Sequence, residues 1–237
     1  MTAARFQNPV FVALDTPDLS KARELARLVR GAAGGLKVGL EFITAQGPSG
    51  IREIAAFGLP LFVDVKFHDI PNTVAGASRE LVKLGAKLFN IHVSGGEAMM
   101  RASVEAARAV DPDVKVIGVT VLTSLEDRDL ESVGQRSPAQ DQVVRLAKLA
   151  KHSGLDGVVC SPREIAPVRA ACGPDFLIVT PGVRPKGADL ADQRRVMTPG
   201  EAARAGADIV VIGRPITMAP DPAAAARAIA AEIAQLA

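Results

Sequence analysis

Residues 61–74 read LFVDVKFHDIPNTV and place charged side chains inside an apolar strand. The apolar residues of Leu61 to Phe67 predict a strand that is covered on both faces, as strands of a parallel sheet are. Side chains two positions apart share a face, so Asp64 and Lys66 point the same way, and Asp69 follows in the next loop. Charges at such spacing are also common on solvated edge strands. A covered strand leaves no solvated face, and burying charges is costly unless they are paired.

The three charges of this stretch predict a proton donor. Lys66 lies between Asp64 and Asp69 in sequence, and each negative neighbour favours the protonated ammonium. An ammonium held in this form between two carboxylates is ready to give its proton to a reacting atom. Lys66, Asp64 and Asp69 are therefore candidate catalytic residues.

Working outward, short β-branched runs alternate eight times with longer Ala-, Leu- and Arg-rich stretches of helical period. We predict strands at Val10–Asp15, Leu36–Leu40, Leu61–Phe67, Leu88–Val93, Val114–Leu122, Gly157–Ser161, Phe176–Pro181 and Asp208–Gly213. Helices are predicted at Leu19–Arg30, Ile51–Phe57, Thr73–Leu84, Glu97–Ala109, Gln140–His152, Arg163–Ala171, Pro199–Ala205 and Pro222–Leu236. Eight β/α units indicate a (β/α)8 TIM barrel that spans residues 1–237 as a single domain. The alternative is an open doubly wound sheet, but no GxGxxG follows the first strand.

The composition excludes several classes of function. The chain has 237 residues, of which 48% are hydrophobic, and its net charge is +2. Neither this charge nor the absence of Trp and Tyr favours a nucleic-acid partner. The start of the chain lacks the apolar core of an export signal, and no run is long enough for a membrane span. The two cysteines, Cys160 and Cys172, are interpreted as buried hydrophobes rather than a disulfide framework, which favours a cytoplasmic location.

Polar residues recur where predicted strands end, which is where a TIM barrel places its chemistry. By the period of two, Asp15 shares a face with Phe11 and Ala13, while Val12, Leu14, Val38 and Leu40 face the helices. Lys37 lies on the second strand, and Thr123 follows the fifth. Alternating Lys and Asp from adjacent strands would offset one another's burial cost in a charged ring. Lys37 alone is also compatible with a surface lysine.

The longest irregular stretch, TPGVRPKGADLADQRRVMTP, follows the seventh strand and contains Arg184 and Gln193. The eighth strand ends in Gly213 and Arg214. Loops after strands seven and eight of TIM barrels often bind phosphate through backbone N–H groups and an arginine. We therefore predict a phosphate site, with a basic surface loop as the alternative. The three histidines have no metal-ligand spacing, and His92 is interpreted as structural.

The chain resembles the orotidine 5'-phosphate decarboxylase family nearly from end to end. The resemblance is carried by LD at 14–15, KVG at 37–39, DVKFHDIPNT at 64–73, LTS at 122–124, PGVRP at 181–185, DQRR at 192–195 and GRPI at 213–216. A DxKxxD alone is weak evidence, since related phosphosugar enzymes share it. The extended HDIPNT with the three downstream motifs is much more specific.

The resemblance implies a metal-free, cofactor-free decarboxylase with shared active sites in a homodimer. It implies that Lys66 is the proton donor, that Asp64 lies beside the scissile carboxylate, and that Asp69 and Thr73 reach the partner's site. The substrate-binding residues that it implies are Asp15, Lys37, Asp64, Thr73, Thr123, Arg184, Gln193, Gly213 and Arg214. Lys37 also belongs to the implied catalytic network.

Two alternatives remain open at this point. One is a related barrel that acts on a sugar phosphate with Mg²⁺ bound by a glutamate at the end of strand two, where this chain has Lys37, a residue that repels a cation. The other is a non-catalytic phosphate-binding barrel, which would not need Asp64, Lys66 and Asp69 close together.

Overall fold

A closed parallel barrel is formed by residues 6–185 and 197–236, which are those that the computed structural model describes. Eight strands in these ranges pair in chain order, and the last pairs with the first. They are β1 Val10–Ala13, β2 Gly35–Val38, β3 Leu61–Phe67, β4 Leu88–His92, β5 Lys115–Val119, β6 Gly157–Val159, β7 Leu177–Thr180 and β8 Ile209–Ile212. The TIM barrel is confirmed, and closure excludes the open doubly wound sheet.

Helices connect the strands and cover the outside of the barrel. They are α1 Leu19–Val29, α2 Leu40–Ala55, α3 Pro71–Lys83, α4 Glu97–Arg108, α5 Asp127–Ser132, α6 Ala139–His152, α7 Ile165–Cys172, α8 Pro199–Ala205, α9 Arg214–Thr217 and α10 Pro222–Leu236. Short 3₁₀ turns at Val93–Gly95 and Pro162–Glu164 lead into α4 and α7. No helix of the described ranges is long and apolar enough to cross a membrane.

The strands build two apolar layers, as the period of two predicts, although β2 turns Gly35 and Lys37 rather than apolar side chains inward. The inner layer fills the barrel with Phe11, Ala13, Phe62, Leu88, Ile117, Val179, Ile209 and Val211. The outer layer, which includes Val12, Leu14 and Val38, packs against the helices. Gly35 is required inside because a β-carbon there would lie 2.3 Å from a ring carbon of Phe11. The free cysteines Cys160 and Cys172 are buried, as predicted.

The structure corrects several predicted boundaries. Leu40 does not face the helices from strand two, because it begins α2 and its side chain is 54% exposed. α2 is longer than the predicted Ile51–Phe57 because the chain continues through a kink at Gly47 and Pro48, which by themselves indicate a break. The fifth strand ends at Val119 rather than Leu122. The short helices α5 and α9 were not predicted, since neither has enough residues to show a helical period.

Candidate active site

A cavity of about 540 Å³ opens at the carboxyl ends of the strands. It is lined by eight of the predicted site residues, namely Asp15, Lys37, Asp64, Lys66, Thr123, Arg184, Gly213 and Arg214. Its floor is apolar and includes Ala13, Phe62, Val119, Val159, Val179 and Val211. A larger cavity of about 710 Å³ lies at the opposite end of the barrel, around Phe6 and Phe176. TIM barrels place catalytic groups at the carboxyl end, so the smaller cavity is the candidate site.

Four charged side chains form a continuous row in this mouth. Lys37 Nζ lies 3.0 Å from Asp15 Oδ1 and 3.7 Å from Asp64 Oδ2, and Lys66 Nζ lies 2.5 Å from Asp64 Oδ1. Lys37 is only 8% exposed, so it is not a surface lysine. Charges of alternating sign offset the cost of burying each one. The predicted alternation of Lys and Asp is thus present as a row along β2 and β3 and the segment that follows β1.

The Asp64 carboxylate is held ionised by its neighbours. Burial by itself raises the pKa of Asp64, but the positive charges of Lys37 and Lys66 outweigh it, together with hydrogen bonds from Lys66 and Asn90. The net effect lowers the pKa of Asp64 below its ordinary value of 3.8. A fixed negative charge therefore lies against the Lys66 ammonium at neutral pH.

Asn90 on β4 was not predicted from the sequence as a site residue. It is 1% exposed, donates from Nδ2 to Asp64 Oδ1 at 2.7 Å, and accepts from the Lys66 backbone N–H at 2.8 Å. The available signal was a lone amide in the apolar strand LFNIH, which a buried strand carries only when the amide has partners. Its position predicts an inward direction, since Leu88 of the same strand faces the barrel interior.

Two of the predicted site residues do not join the mouth of their own chain. Asp69 and Thr73 are exposed at the loop after β3 and the start of α3, and neither lines the cavity. The Asp69 carboxylate accepts the N–H of Ile70 at 2.6 Å. Among the described residues, no ion pair joins Asp69 to Lys66, so the prediction that both carboxylates flank Lys66 is wrong within one chain. Asp69 lies in the exposed segment between β3 and α3, outside the covered strand.

The loops after β7 and β8 form the far side of the cavity. Arg184 is 9% exposed, donates from Nη1 to the Val183 carbonyl at 2.9 Å, and lines the cavity with Gly213 and Arg214. The Arg184 N–H donates to the Met197 carbonyl, which ties the two ends of the long loop together. Gln193 and the rest of DQRR lie outside the described residues, as do Lys186 and the middle of the loop.

His92 and His68 lie near Asp64 and Lys66, with ring centroids 5.4 Å apart and ring planes tilted by 33°. Burial lowers the pKa of His92, and the positive charges of His68 and Lys66 lower it further. His92 is therefore neutral at pH 7. No group of three or more His, Cys, Asp or Glu in the described part of the chain is placed to hold a metal ion.

Comparisons with known proteins agree on one family. A family model described as orotidine 5'-phosphate decarboxylase / HUMPS matches residues 8–229. The chain is 56% identical over 96% of its length to the orotidine 5'-phosphate decarboxylase of Moorella thermoacetica, of which 92% is covered, and 53% identical over 95% of its length to that of Paramagnetospirillum magneticum, of which 98% is covered. A crystal structure of orotidine 5'-phosphate decarboxylase from Lactobacillus acidophilus superposes with a TM-score of 0.86 at 38% identity, covering 96% of this chain and 99% of that one.

Proposed function

The chain belongs to the orotidine 5'-phosphate decarboxylase / HUMPS family, and from that membership we propose that its barrel mouth converts orotidine 5'-monophosphate to UMP and CO2. The observation that carries the assignment of residues is the ion pair of 2.5 Å between Lys66 and Asp64, with Lys37 and Asp15 continuing the row. The cavity has an apolar floor at this end and arginines at the other, as a nucleotide with a charged phosphate requires.

The reaction needs a positive charge beside C6 of the pyrimidine ring, where negative charge develops. When the bond between C6 and the carboxylate breaks, CO2 leaves and its bonding electrons remain on C6, where no adjacent group delocalises them. The Lys66 ammonium, fixed by Asp64, stabilises this charge electrostatically and then gives C6 its proton. Lys66 is left as a neutral amine and regains a proton from water before the next turnover. No step requires a metal or an organic cofactor.

The remaining residues of the mouth bind the rest of the substrate. Lys37 and Asp15 are 3.0 Å apart and offer a donor and an acceptor to the ribose hydroxyl groups. Thr123 lies on the wall of the cavity beside the position proposed for the pyrimidine. Asp64 faces the scissile carboxylate and loses this unfavourable neighbour as CO2 departs.

The phosphate is assigned to the far side of the cavity. Arg184 and Arg214 supply guanidinium groups, and Gly213 allows close approach of the backbone. We assign Gln193 to the same phosphate from the family resemblance alone, since it lies outside the described residues. This grip is remote from C6. Binding of the phosphate supplies free energy that holds the substrate carboxylate beside the Asp64 carboxylate, a contact between like charges that is unfavourable on its own.

A homodimer with shared sites accounts for the placement of Asp69 and Thr73. Both side chains are exposed, and Ile70 between them is 66% exposed although it is large and apolar. Because the side chains of Asp69 and Thr73 are exposed, they are available to a second copy of the chain. We assign Asp69 and Thr73 to the mouth of the partner, where Asp69 would be the second carboxylate near Lys66.

The sugar-phosphate branch of the same family fits this mouth less well. That branch is expected to hold Mg²⁺ at the end of strand two, where the Lys37 ammonium contacts two carboxylates and would oppose a divalent cation. A non-catalytic barrel would not need the Asp64 carboxylate to be held between the Lys37 and Lys66 ammonium groups.

The direct test follows the ultraviolet absorbance of orotidine 5'-monophosphate with purified protein in EDTA. We expect turnover by the wild type, and a loss of at least 10³-fold in kcat for Lys66→Ala, roughly what removing a central proton donor and charge costs. Binding of UMP by calorimetry should persist in Lys66→Ala, because the phosphate and ribose contacts remain. Turnover only with added Mg²⁺, or none by a folded wild type that binds UMP, would contradict the proposal.

A further inference from the structure

The carboxamide of Asn90 joins the two central residues of the site. Its Oδ1 accepts the Lys66 backbone N–H at 2.8 Å, and its Nδ2 donates to Asp64 Oδ1 at 2.7 Å. The orientation of the amide is fixed by chemistry, because a backbone N–H only donates and an ionised carboxylate only accepts. Rotating the amide would place nitrogen against N–H and oxygen against a carboxylate. The Oδ1 and the Nδ2 of Asn90, which is 1% exposed, thus both form hydrogen bonds with residues of the site.

The backbone that Asn90 holds is strained. Lys66 has a φ of 52°, and among the described residues it is the only one other than glycine with a positive φ. This region is unfavourable for lysine because its Cβ crowds the following carbonyl, so surrounding contacts must maintain it. The strand register shows where the strain originates. Val63 pairs with Phe89 and Phe67 pairs with Ile91, so three residues of β3 lie opposite Asn90 alone.

The same contacts set the position of the charges. Asp64 Oδ1 accepts hydrogen bonds from Lys66 Nζ at 2.5 Å and from Asn90 Nδ2 at 2.7 Å. The other carboxylate oxygen, Oδ2, lies 3.7 Å from Lys37 Nζ. If Asn90 lost its donor, the carboxylate would be free to rotate and the ammonium would follow it. If Asn90 lost its acceptor, the Lys66 N–H would be left without this partner in a bulge that has no ladder bond for it.

We propose that Asn90 is the positioning residue for Lys66 and Asp64: it stabilises the left-handed bulge that aims the ammonium, and it fixes the carboxylate that pairs with it. The proposal rests on the decarboxylase function for its kinetic consequences only. Its structural consequence, the conformation of Lys66, is independent of any substrate.

Two variants of Asn90 separate positioning from general stability. Asn90→Leu keeps the branching of the side chain and removes both hydrogen bonds, and we expect kcat to fall by about 10²-fold while KM changes by less than about threefold, as for groups that act in the transition state. Ser103→Ala is the matched control, since it removes a buried hydroxyl group that lies outside the mouth. The Ser103 hydroxyl forms a 2.7 Å hydrogen bond with that of Ser78. We expect the kcat of Ser103→Ala to equal that of the wild type even where its thermal stability falls.

Asn90→Asp has the same shape and gives a readout that a structural role would not move. Its carboxylate still accepts the Lys66 N–H but faces Asp64, and a like charge raises the pKa of a neighbouring carboxyl group. We therefore expect the acid limb of the pH profile of kcat to move to higher pH. The two carboxyl groups then titrate as a coupled pair, so the shift is assigned to the pair.

A crystal structure of Asn90→Leu completes the test. We expect Lys66 to leave the positive φ region and its Nζ to move away from Asp64. Retention of both features, or a kcat for folded Asn90→Leu within twofold of the wild type, overturns the proposal. If Asn90→Leu does not fold, an unchanged kcat and acid limb in Asn90→Asp overturn it instead. A wild type that does not decarboxylate counts against the proposed function, and the crystallographic result still decides the role of Asn90.

Discussion

At the scale of single residues, Lys37 links the two carboxylates of the mouth. It lies within 3.0 Å of Asp15 and 3.7 Å of Asp64, and its charge is the largest of the influences that lower the pKa of Asp64 against burial. In Lys37→Ala the pKa of Asp64 should therefore rise, and the acid limb of the pH profile of kcat/KM should move to higher pH. We expect kcat/KM at pH 7 to fall by about 10²-fold, as for loss of one preorganised charge.

The control for this variant is Lys83→Ala. Lys83 also pairs with a carboxylate, Glu80 at 2.8 Å, but on the exposed surface of α3. Its kcat/KM and acid limb should match those of the wild type. An acid limb in Lys37→Ala that coincides with the wild type would contradict the proposed coupling of Lys37 to Asp64.

His92 offers a titration that does not depend on turnover. Burial, His68 and Lys66 lower the pKa of His92 from its ordinary value of 6.5. The NMR signal of its ring proton, assigned by its loss in His92→Gln, should titrate with a midpoint below 6.5. Because the folded pKa is depressed, the contribution of His92 to stability is present above pH 6.5 and is lost as the pH falls through the folded value. A titration midpoint of His92 at or above pH 6.5 would show that its ring is more solvated than the structure indicates.

At the scale of elements, two aspartate side chains form hydrogen bonds between neighbouring strands. Both lie at the end of the barrel opposite the mouth. Asp208, just before β8, accepts the Ile178 N–H of β7 at 2.8 Å and pairs with Arg169. Asp156, just before β6, accepts the Val116 N–H of β5 at 2.9 Å in the same way. Each carboxylate continues a strand pairing beyond the last backbone hydrogen bond.

Removing the Asp208 carboxylate should therefore destabilise the barrel without affecting chemistry. Asp208→Ala leaves the partly buried Arg169 guanidinium without its carboxylate partner, which costs about 3 kcal/mol, and the melting temperature should fall by roughly 10 °C. Calorimetric melting measures this, with the exposed Asp175→Asn as control. A fall in kcat at temperatures where Asp208→Ala remains folded would contradict a purely structural role.

The strand β3 shows how far sequence patterns reach. Period two correctly predicted that Asp64 and Lys66 share the mouth, yet the strand achieves this through a bulge with Lys66 at positive φ. No local signal predicts the bulge, because glycine is the usual residue at positive φ and this chain has lysine there. The lone amide in LFNIH indicates a buried hydrogen-bonding role for Asn90, but its partners are defined only once β3 and β4 are paired.

At the scale of the whole molecule, the alternation of strand and helix was sufficient to predict the closed barrel. The period of the hydrophobic residues and the length of each segment determine that architecture, and both can be read directly from the sequence. The position of Asp69 was not predictable in the same way, because its partners within one chain do not include Lys66. If Asp69 acts in a partner subunit, as proposed, its own strand and loop carry no local signal of this.

The proposed sharing of active sites in a homodimer predicts complementation between two inactive variants. Asp69→Ala and Lys66→Ala should each have little activity alone, and after subunit exchange the hybrid dimers should contain one complete site. With random exchange the mixture should regain about a quarter of wild-type activity, since half of the symmetric dimers are hybrids and each has one of two sites intact. Exchange is verified by co-purification of differently tagged chains. Exchange without recovered activity would show that Asp69 acts in its own chain.

The most direct test of the central claim, that Lys66 replaces the departing CO2 with a proton at C6, is the reaction in D2O followed by proton NMR. The Lys66 ammonium exchanges its protons with solvent, so wild-type protein should yield UMP that carries deuterium at C6 and lacks the H6 signal, one for each CO2 released. Lys66→Ala should leave orotidine 5'-monophosphate unchanged over the same time. Formation of UMP at a comparable rate by Lys66→Ala, or unchanged substrate with folded wild type, would contradict the claim.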